Sequence, residues 1–223
     1  YIKDIVNRNN IRDTGVLEDV LNVVSSSVGS LTNPNKLSNS FKSIKNIDVA
    51  PNTIKQYLDY CIVSFLLQKA YRYDVKGKKY IDTPLKYYYT DIGLRNARLG
   101  FRQQEESHIM ENIIFNELIT RGYKVDVGVV TVSEKNENGN YVRKNLEVDF
   151  VCNLGYQRYY IQSTLSIDDA EKKRQEEKSL LNIHDGFRKI IIVRNNIKKW
   201  MDDNGTLFLS LKEFLINPDS MKA

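Results

Sequence analysis

Residues 144–165, KNLEVDFVCNLGYQRYYIQSTL, contain two short apolar runs, VDFV and YYIQ, which are separated by a turn at Gly155. Their β-branched and aromatic content predicts two neighbouring strands. One acid, Asp149, lies inside the first strand, and one amide, Gln162, lies inside the second. An acid inside a strand lowers stability unless it is paired or binds something. This hairpin therefore predicts both the sheet of a domain and the place of a functional site.

The segments around the hairpin predict an α/β domain over residues 99–223. A helix that is apolar nearly all round, EESHIMENIIFNELITRGYKV, is expected to be buried. A strand, KVDVGVVTV, and an exposed polar loop, SEKNENGNYVRKN, are expected to follow it. After the hairpin come a charged helix, SIDDAEKKRQEEKSLLNI, a third strand, FRKIIIVRN, and the segment TLFLSLKEFLI. This order predicts a central mixed sheet with helices packed on it, in a chain that is α+β overall.

The first half of the chain is expected to be mainly helical. Two helices, YIKDIVNRN and TGVLEDVLNVVSSSVG, precede a short helix in NPNKLSNSFKSI. A longer helix, NTIKQYLDYCIVSFLL, opens with Asn52 or Thr53 as the predicted N-cap and Gln56 in the capping-box position. Two β-rich runs then flank VKGKK, which predicts a hairpin with Gly77 in its turn.

Short helix, longer helix and basic hairpin, over residues 31–98, form the layout of a winged helix-turn-helix. In that fold the longer helix usually enters the major groove, and the hairpin contacts backbone phosphates. We call the predicted hairpin tip, residues 75–80, the wing. The alternative is a helical module that packs against a neighbouring domain and has solvated lysines. The candidate DNA-binding residues are Asn52, Thr53, Lys55 and Gln56 on the helix, and Lys76, Lys78 and Lys79 on the wing.

Composition limits the class of protein. The chain has 223 residues, of which 41% are hydrophobic and 27% charged, as in globular domains. Its sequence has no apolar run of membrane-spanning length, so we expect a cytoplasmic protein that does not contact a membrane. The net charge of +5 favours nucleic acid or another acidic partner, although many basic domains bind neither. The two cysteines, Cys61 and Cys152, are expected to be buried reduced thiols.

The acids and the amide suggest a site for a divalent cation. Hydrolysis of a phosphodiester with Mg²⁺ or Mn²⁺ requires clustered oxygen ligands and often a lysine near the attacking water. Glu111 on the buried helix is expected to converge with Asp149 and Gln162, with Glu111 and Asp149 as metal ligands. The alternative is structural, in which each acid pairs with an arginine or a lysine or caps backbone groups.

Three segments, ENIIFNELITRGY, LEVDFV and YIQST, resemble the core motifs of the PD-(D/E)XK nuclease superfamily. The resemblance matches Glu111 to the helix glutamate, and Asp149 to the strand aspartate. It also implies a restriction-endonuclease-like fold. Gln162 stands where the motif has an acid, and Thr164 stands where it has the lysine, so the Coulombic attraction for a cation is weaker. The following helix offers basic replacements: Lys172, Lys173 and Arg174.

Nearly the whole chain resembles the C-terminal half of a family of AAA+-type ATPases. The segments YYYTDIGLRNARLGFR, HIMENIIFNELITRGY, EVDFV and YYIQST carry this resemblance. It implies that residues 1–30 are the end of the ATPase lid, residues 31–98 a winged helix and residues 99–223 a nuclease-like domain. ATP would bind only in a domain ahead of Tyr1, because the G-x-x-x-x-G-K-[ST] motif is absent from this sequence.

Three functions follow from these patterns. The first is a region of such an ATPase that binds DNA or a protein partner and carries a degenerate nuclease-like domain. The second is an active metal-dependent DNA nuclease that uses Glu111, Asp149 and Gln162. The third is a protein–protein scaffold without nucleic acid, which binds a partner or a second copy of the chain.

Overall fold

A computed structural model describes residues 1–102, 105–136 and 139–222. The chain forms two compact units. The first comprises Tyr1–Ala70 and Thr83–Asn112, and the second comprises Tyr71–Asp82 and Ile113–Ala223. This division differs from the predicted boundaries after residues 30 and 98. The segments predicted as lid and winged helix share the first unit, except for residues 71–82, which contain the wing and belong to the second unit.

The first unit is built mainly from helices. They are α1 (Ile2–Arg8), α2 (Thr14–Ser26), α3 (Pro34–Lys45), α4 (Pro51–Val63) and α5 (Ile92–Arg98). Strands β1 (Leu67–Asp74) and β2 (Lys79–Tyr89) and helix α6 (Glu106–Thr120) run from one unit into the other. The core residues of α2 and α4 recur every three or four positions, as expected for helices with one buried face. They are Leu17, Val20, Leu21, Val24, Ile54, Leu58 and Cys61.

Helix α4 begins earlier than the sequence indicated. Its first residue is Pro51 and its N-cap is Ala50, so the predicted N-cap at Asn52 or Thr53 is wrong. Proline suits the first position of a helix because its fixed φ is already helical and it has no N–H to satisfy. Gln56 does not cap the helix and donates instead to Tyr60 Oη at 2.6 Å.

In the described ranges, the second unit contains a further six strands and two helices. They are β3 (Lys124–Lys135), β4 (Tyr141–Leu154), β5 (Gln157–Thr164), α7 (Ala170–Leu181), β6 (Arg188–Val193), β7 (Trp200–Met201), β8 (Thr206–Ser210) and α8 (Leu211–Ile216). The strands form an eight-stranded mixed sheet of order β2-β1-β3-β4-β5-β6-β8-β7, to which β1 contributes residues 71–74 and β2 contributes residues 79–82. Neighbouring strands from β3 to β5 are antiparallel, whereas β5, β6 and β8 are parallel. Helix α7 connects β5 to β6, and α8 follows β8.

The predicted strands in VDFV and YYIQ are confirmed as parts of β4 and β5, which lie side by side in the sheet. The predicted mixed α/β class with a central mixed sheet is also confirmed. All four residues Ile190–Val193 of β6 are fully buried, as expected for a strand that is covered on both faces. The predicted hairpin around Gly77 is confirmed, with the turn at residues 75–78.

The polar loop predicted at SEKNENGNYVRKN is wrong for most of its length. Strands β3 and β4 pair as far as Lys135 opposite Tyr141. Most of the side chains at this end of the pair are exposed, so the sequence lacks the apolar alternation that indicates a half-buried strand. Residues 137 and 138 of the predicted loop lie outside the described residues. None of the helices in the described ranges is long and apolar enough to cross a membrane.

Candidate functional site

Asp149 lies in the central strand β4 and makes several hydrogen bonds to β5. Only 8% of it is exposed. Its Oδ2 accepts from the backbone N–H and the hydroxyl of Ser163, at 2.8 and 2.7 Å. Gln162 Nε2 lies 3.4 Å from its Oδ1, and the Asp149 N–H donates to Gln162 Oε1 at 3.3 Å. The predicted proximity of Asp149 and Gln162 is therefore confirmed.

These contacts decide what the pair can do chemically. Hydrogen bonds to an ionised acceptor are stronger than neutral ones, so the Ser163 donors stabilise the Asp149 carboxylate. Gln162 presents its NH₂ group to Asp149 and its oxygen to a backbone N–H. In this arrangement Gln162 acts as a partner of the acid, and it offers a cation no second carboxylate.

A second acid, Glu176 on α7, lies beside this pair and was missed by the sequence analysis. The Thr164 hydroxyl lies 3.1 Å from both Glu176 Oε1 and the carbonyl of Ser166. Burial raises the pKa of Glu176; the Thr164 hydroxyl and Lys172 lower it, while the charge of Asp149 raises it further. The one signal in the sequence is that Glu176 precedes the buried Leu180 by four residues, on the same helix face.

The basic residues predicted as replacements for the lysine have different environments. Lys172 Nζ donates to Ser166 Oγ at 3.2 Å and is close enough to Glu176 to lower the pKa of that acid. Arg174 is exposed. Lys173 instead contacts Glu177 at 3.5 Å and Asp202 at 3.4 Å. Of the three, Lys172 is therefore the one whose described contacts lead to the candidate site.

The Lys173 cluster has a pH dependence of its own. Burial, together with a hydrogen bond to Asp202, raises the pKa of Glu177 to about 7, and Lys173 lowers it. The folded chain thus binds the Glu177 proton more tightly than the unfolded chain, so this contribution to stability is full at low pH. It is lost as pH rises from about 4.5 through about 7.

In the unaltered chain, we expect the free energy of unfolding to fall by up to about 3 kcal/mol between pH 4.5 and pH 7.5, as Glu177 loses its proton. In Glu177→Gln this fall should be absent. Asp202 does not contribute to this fall. Desolvation raises its pKa, but its hydrogen bonds lower the pKa further, so Asp202 titrates below this pH window. Urea unfolding of both proteins across the window measures the difference. Glu171→Gln, at an exposed position of the same helix, is the matched control. A pH slope that is unchanged in Glu177→Gln would contradict this assignment.

Glu111 is buried in the first unit and is already paired there. Its Oε1 accepts from Lys86 Nζ at 2.8 Å and from Tyr88 Oη at 2.6 Å. Gly29 has a φ of +73°, and a Cβ at this position would lie 3.3 Å from the Glu111 carboxylate. These contacts correspond to the structural role that the sequence left open for this acid. Its convergence with Asp149 and Gln162, which belong to the second unit, stays a prediction.

The described residues provide few ligands for a metal ion. They contain no group of three or more His, Cys, Asp or Glu side chains placed to hold one. Mg²⁺ usually takes one or two carboxylates and keeps several waters. In the second unit, Asp149 and Glu176 are the acids whose contacts converge on Ser163 and Thr164, so they are the residues that would hold such an ion.

The candidate DNA-binding residues of α4 lie in the first unit. Asn52, Lys55 and Gln56 are exposed in the first two turns of the helix, and Thr53 is half-buried. The early start of α4 therefore places Asn52 and Thr53 inside the helix and not at its cap. Their polar side chains stay available to solvent on the exposed face.

The wing lies in the second unit and presents three ammonium groups. Lys76, Lys78 and Lys79 are exposed, and Lys76 Nζ donates to the carbonyl of Thr131 at 2.9 Å. The Gly77 N–H donates to Asp74 Oδ1 at 2.9 Å, which closes the turn. A Cβ on residue 77 would lie 2.3 Å from Asp74 Oδ2, so a larger residue there would require the Asp74 carboxylate to move.

The fold and the site define a mixed α/β protein with an acid and an amide on adjacent central strands. Residues 1–105 match a family described as "Domain of unknown function (DUF8612)". An "Uncharacterized protein" of Haemophilus influenzae is 34% identical over 191 residues, which cover 86% of this chain and 44% of that protein. The "Uncharacterized protein MJ1544" of Methanocaldococcus jannaschii is 28% identical over 176 residues, covering 78% of this chain and 36% of that protein.

The chain thus spans less than half the length of these curated relatives. Among solved structures, "Crystal structure of protein VC1899 from Vibrio cholerae" aligns with 92% of this chain and 54% of its own. The identity is 11% and the TM-score is 0.33, a likeness too low to support an argument.

Proposed function

We propose that this chain is a DNA-binding region of a larger AAA+-type ATPase, with a winged helix and a nuclease-like domain that does not cleave. The observation that carries the proposal is the wing. Three exposed lysines lie there, two of them in the closed turn and one at the first residue of β2. Lysines at a hairpin tip neutralise backbone phosphates without reading the base sequence. The contacts of Asp149 with Ser163 and Gln162 favour binding over cleavage, because its charge is already satisfied.

The test is the salt dependence of duplex binding by the triple variant Lys76→Ala/Lys78→Ala/Lys79→Ala. Each phosphate contact contributes about −0.9 to the slope of log K against log salt, so we expect the slope to become shallower by about 2–3. Binding should weaken to a similar extent on unrelated duplexes. Fluorescence anisotropy with labelled duplexes at several salt concentrations measures both.

The matched control is Lys198→Ala/Lys199→Ala/Lys212→Ala, which removes three exposed lysines from elsewhere in the same unit. This variant should keep the original slope. Equal slopes for the wing variant and the unaltered chain would mean that the wing does not bind phosphate.

A second candidate function is metal-dependent cleavage, and Glu176 is the observation that favours it. With Asp149 it supplies two carboxylates, and Lys172 supplies a nearby ammonium group in place of the one absent at Thr164. This function requires DNA cleavage by the unaltered chain in Mg²⁺ or Mn²⁺. Both Asp149→Asn and Glu176→Gln should then abolish it.

The same proposal includes the ATP-binding domain, the cellular location and the partners of the full-length protein. ATP would act in the domain that the resemblance places before Tyr1, and the nucleotide state would control DNA or partner binding. A cytoplasmic location agrees with the two free, buried cysteines, because disulfides are rare in that compartment. Burial raises the pKa of the Cys61 thiol to about 12, and it raises that of Cys152 as well. A scaffold that binds a protein partner or a second copy is the outcome if the chain binds no nucleic acid.

A further inference from the structure

A continuous row of aromatic and cationic side chains lies on the sheet of the second unit. We call it the aromatic–cation row, and its members are Tyr71, Tyr73, Tyr80, Lys124, Arg158 and Phe187. The ammonium of Lys124 lies 4.7 Å from the ring centroid of Tyr80. The Tyr80 ring contacts those of Tyr71 and Tyr73, at centroid distances of 6.3 and 5.4 Å.

The row continues through an arginine to its other end. The guanidinium of Arg158 lies 5.3 Å from the Tyr73 ring centroid and 5.4 Å from that of Phe187. Arg158 Nε also donates to Asn153 Oδ1 at 2.7 Å, which fixes its position. Each cation of the row is therefore held against at least one ring, so the row is ordered before any ligand binds.

Three rings of this row retain a large contact with solvent. Tyr71 is 40% exposed, Tyr80 is 47% exposed and Phe187 is 41% exposed. Single exposed apolar residues are ordinary, but a contiguous exposed group indicates an interaction surface. The exposed area of these three rings is available to a flat partner.

The charges around the row favour an anionic partner. Residues 71–82 carry four basic and two acidic side chains, and Lys124 and Arg158 add two more cations. Asp126, an acid beside the row, is 1% exposed and accepts from Tyr80 Oη at 3.1 Å. At the far end, Asp185 accepts from Tyr160 Oη at 2.6 Å. Asp126 and Asp185 are thus engaged by tyrosine hydroxyls, while Lys124 is exposed and Arg158 is half-buried.

We propose that the aromatic–cation row binds single-stranded nucleic acid. Unstacked bases would lie on the exposed tyrosine and phenylalanine rings, and Lys124, Arg158 and the wing would neutralise the phosphates. A duplex cannot use these rings because its bases are already stacked on one another. The proposal rests on the proposed function in having nucleic acid as its partner, but it assigns a different surface and a different strand state.

The experiment measures binding of labelled oligothymidylate and oligouridylate, about 20 nucleotides long, by fluorescence anisotropy, because known single-strand sites span about 4–16 nucleotides. Tyr71→Leu and Tyr80→Leu should each weaken binding by at least about fivefold, and the double variant by about 25-fold or more, because stacking on one ring accounts for that much affinity. Tyr71→Phe keeps the ring and leaves the hydrogen bond from Tyr80 to Asp126 in place, so it should retain binding. Tyr141→Leu, at an exposed tyrosine outside the row, should also bind as the unaltered chain does.

Thermal unfolding of each variant shows that a loss of binding is not a loss of fold. The proposal is overturned if both leucine variants bind oligothymidylate as tightly as the unaltered chain does. It is also overturned if the unaltered chain does not bind oligothymidylate at all, a result that would favour a protein as the occupant of the row. The uridylate arm shows whether the strand is DNA, RNA or either. Duplex binding with an intact salt slope can persist when the row fails, and single-strand binding can persist when the wing fails, so the two proposals fail separately.

Discussion

Replacing Lys86 by methionine is expected to lower the free energy of unfolding by about 3–5 kcal/mol, because this change leaves a buried carboxylate without its cation. Lys86 is 3% exposed, and its ammonium lies 2.8 Å from Glu111 Oε1. Methionine has a similar length and adds no cavity, so the loss measures electrostatics and not packing. Urea unfolding of the unaltered chain and of the variant gives the difference.

The double variant Lys86→Met/Glu111→Gln separates a structural role of Glu111 from a functional one. The glutamine oxygen still accepts from Tyr88, and no charge remains buried, so we expect most of the lost stability to return. Replacement of a whole buried ion pair is often close to neutral. Lys42→Met, at an exposed position of the same unit, should change stability by less than about 0.5 kcal/mol. If Lys86→Met were as stable as the unaltered chain, the ion pair would not be what stabilises Glu111.

The second large effect is expected from Gln162→Glu combined with Thr164→Lys, which restores the acid and the lysine of the nuclease pattern. In the unaltered chain we expect no or very slow DNA cleavage in Mg²⁺. In the double variant, residue 162 places a second carboxylate beside Asp149, where like charges repel until a cation binds between them. We therefore expect binding of Mg²⁺, seen as a melting temperature that rises with its concentration.

Restoration of the charges also acts on the rate of cleavage. One preorganised interaction with charge developing at the reacting group is typically worth roughly 3–4 kcal/mol, or about 10²–10³ in rate. The lysine at position 164 would lie next to Glu176, whose carboxyl now contacts the Thr164 hydroxyl. Cleavage of a labelled duplex by the double variant, abolished by adding Asp149→Ala, is the expected result if the surface admits DNA.

The control for added charge is Gln157→Glu, at the exposed start of the same strand, which should not respond to Mg²⁺. Two results would contradict the reasoning. Rapid cleavage by the unaltered chain, lost in Asp149→Ala, would make this protein an active nuclease. Failure of the double variant to bind any Mg²⁺ would favour a scaffold whose nuclease-like frame no longer accepts a metal ion.

Local sequence signals were sufficient where the structure depends on neighbours in the chain. The apolar spacing of Ile54, Leu58 and Cys61 is typical of a helix and indicated α4, although Pro51 moved its start by two or three residues. Gly77 predicted its turn correctly because glycine is a common turn residue, and here its N–H donates to Asp74 Oδ1. The same signals failed for residues 133–135 and 141–145, where an exposed strand pair lacks the apolar alternation that a strand prediction needs.

The candidate site shows the same division. Asp149 and Gln162 are thirteen positions apart on the two strands of one hairpin, so the sequence predicted that these side chains meet. It identified Lys172 only as one of three basic side chains on a charged helix. It missed Glu176 altogether, because the letters EKKRQEEK do not show which of these side chains faces the sheet.

By itself, the sequence determined the central hairpin, the helices of the first half, the turn of the wing and the replacement of an acid and a lysine by Gln162 and Thr164. These features follow from residue type, short-range periodicity and turn geometry. The tertiary structure alone decided that Lys86 neutralises Glu111, that Glu176 lies beside Thr164 and that six residues from several segments form the aromatic–cation row. The contacts of Lys86 with Glu111, of Thr164 with Glu176 and of Tyr73 with Arg158 join different helices and strands, and folding is what brings their charges and rings within interacting distance.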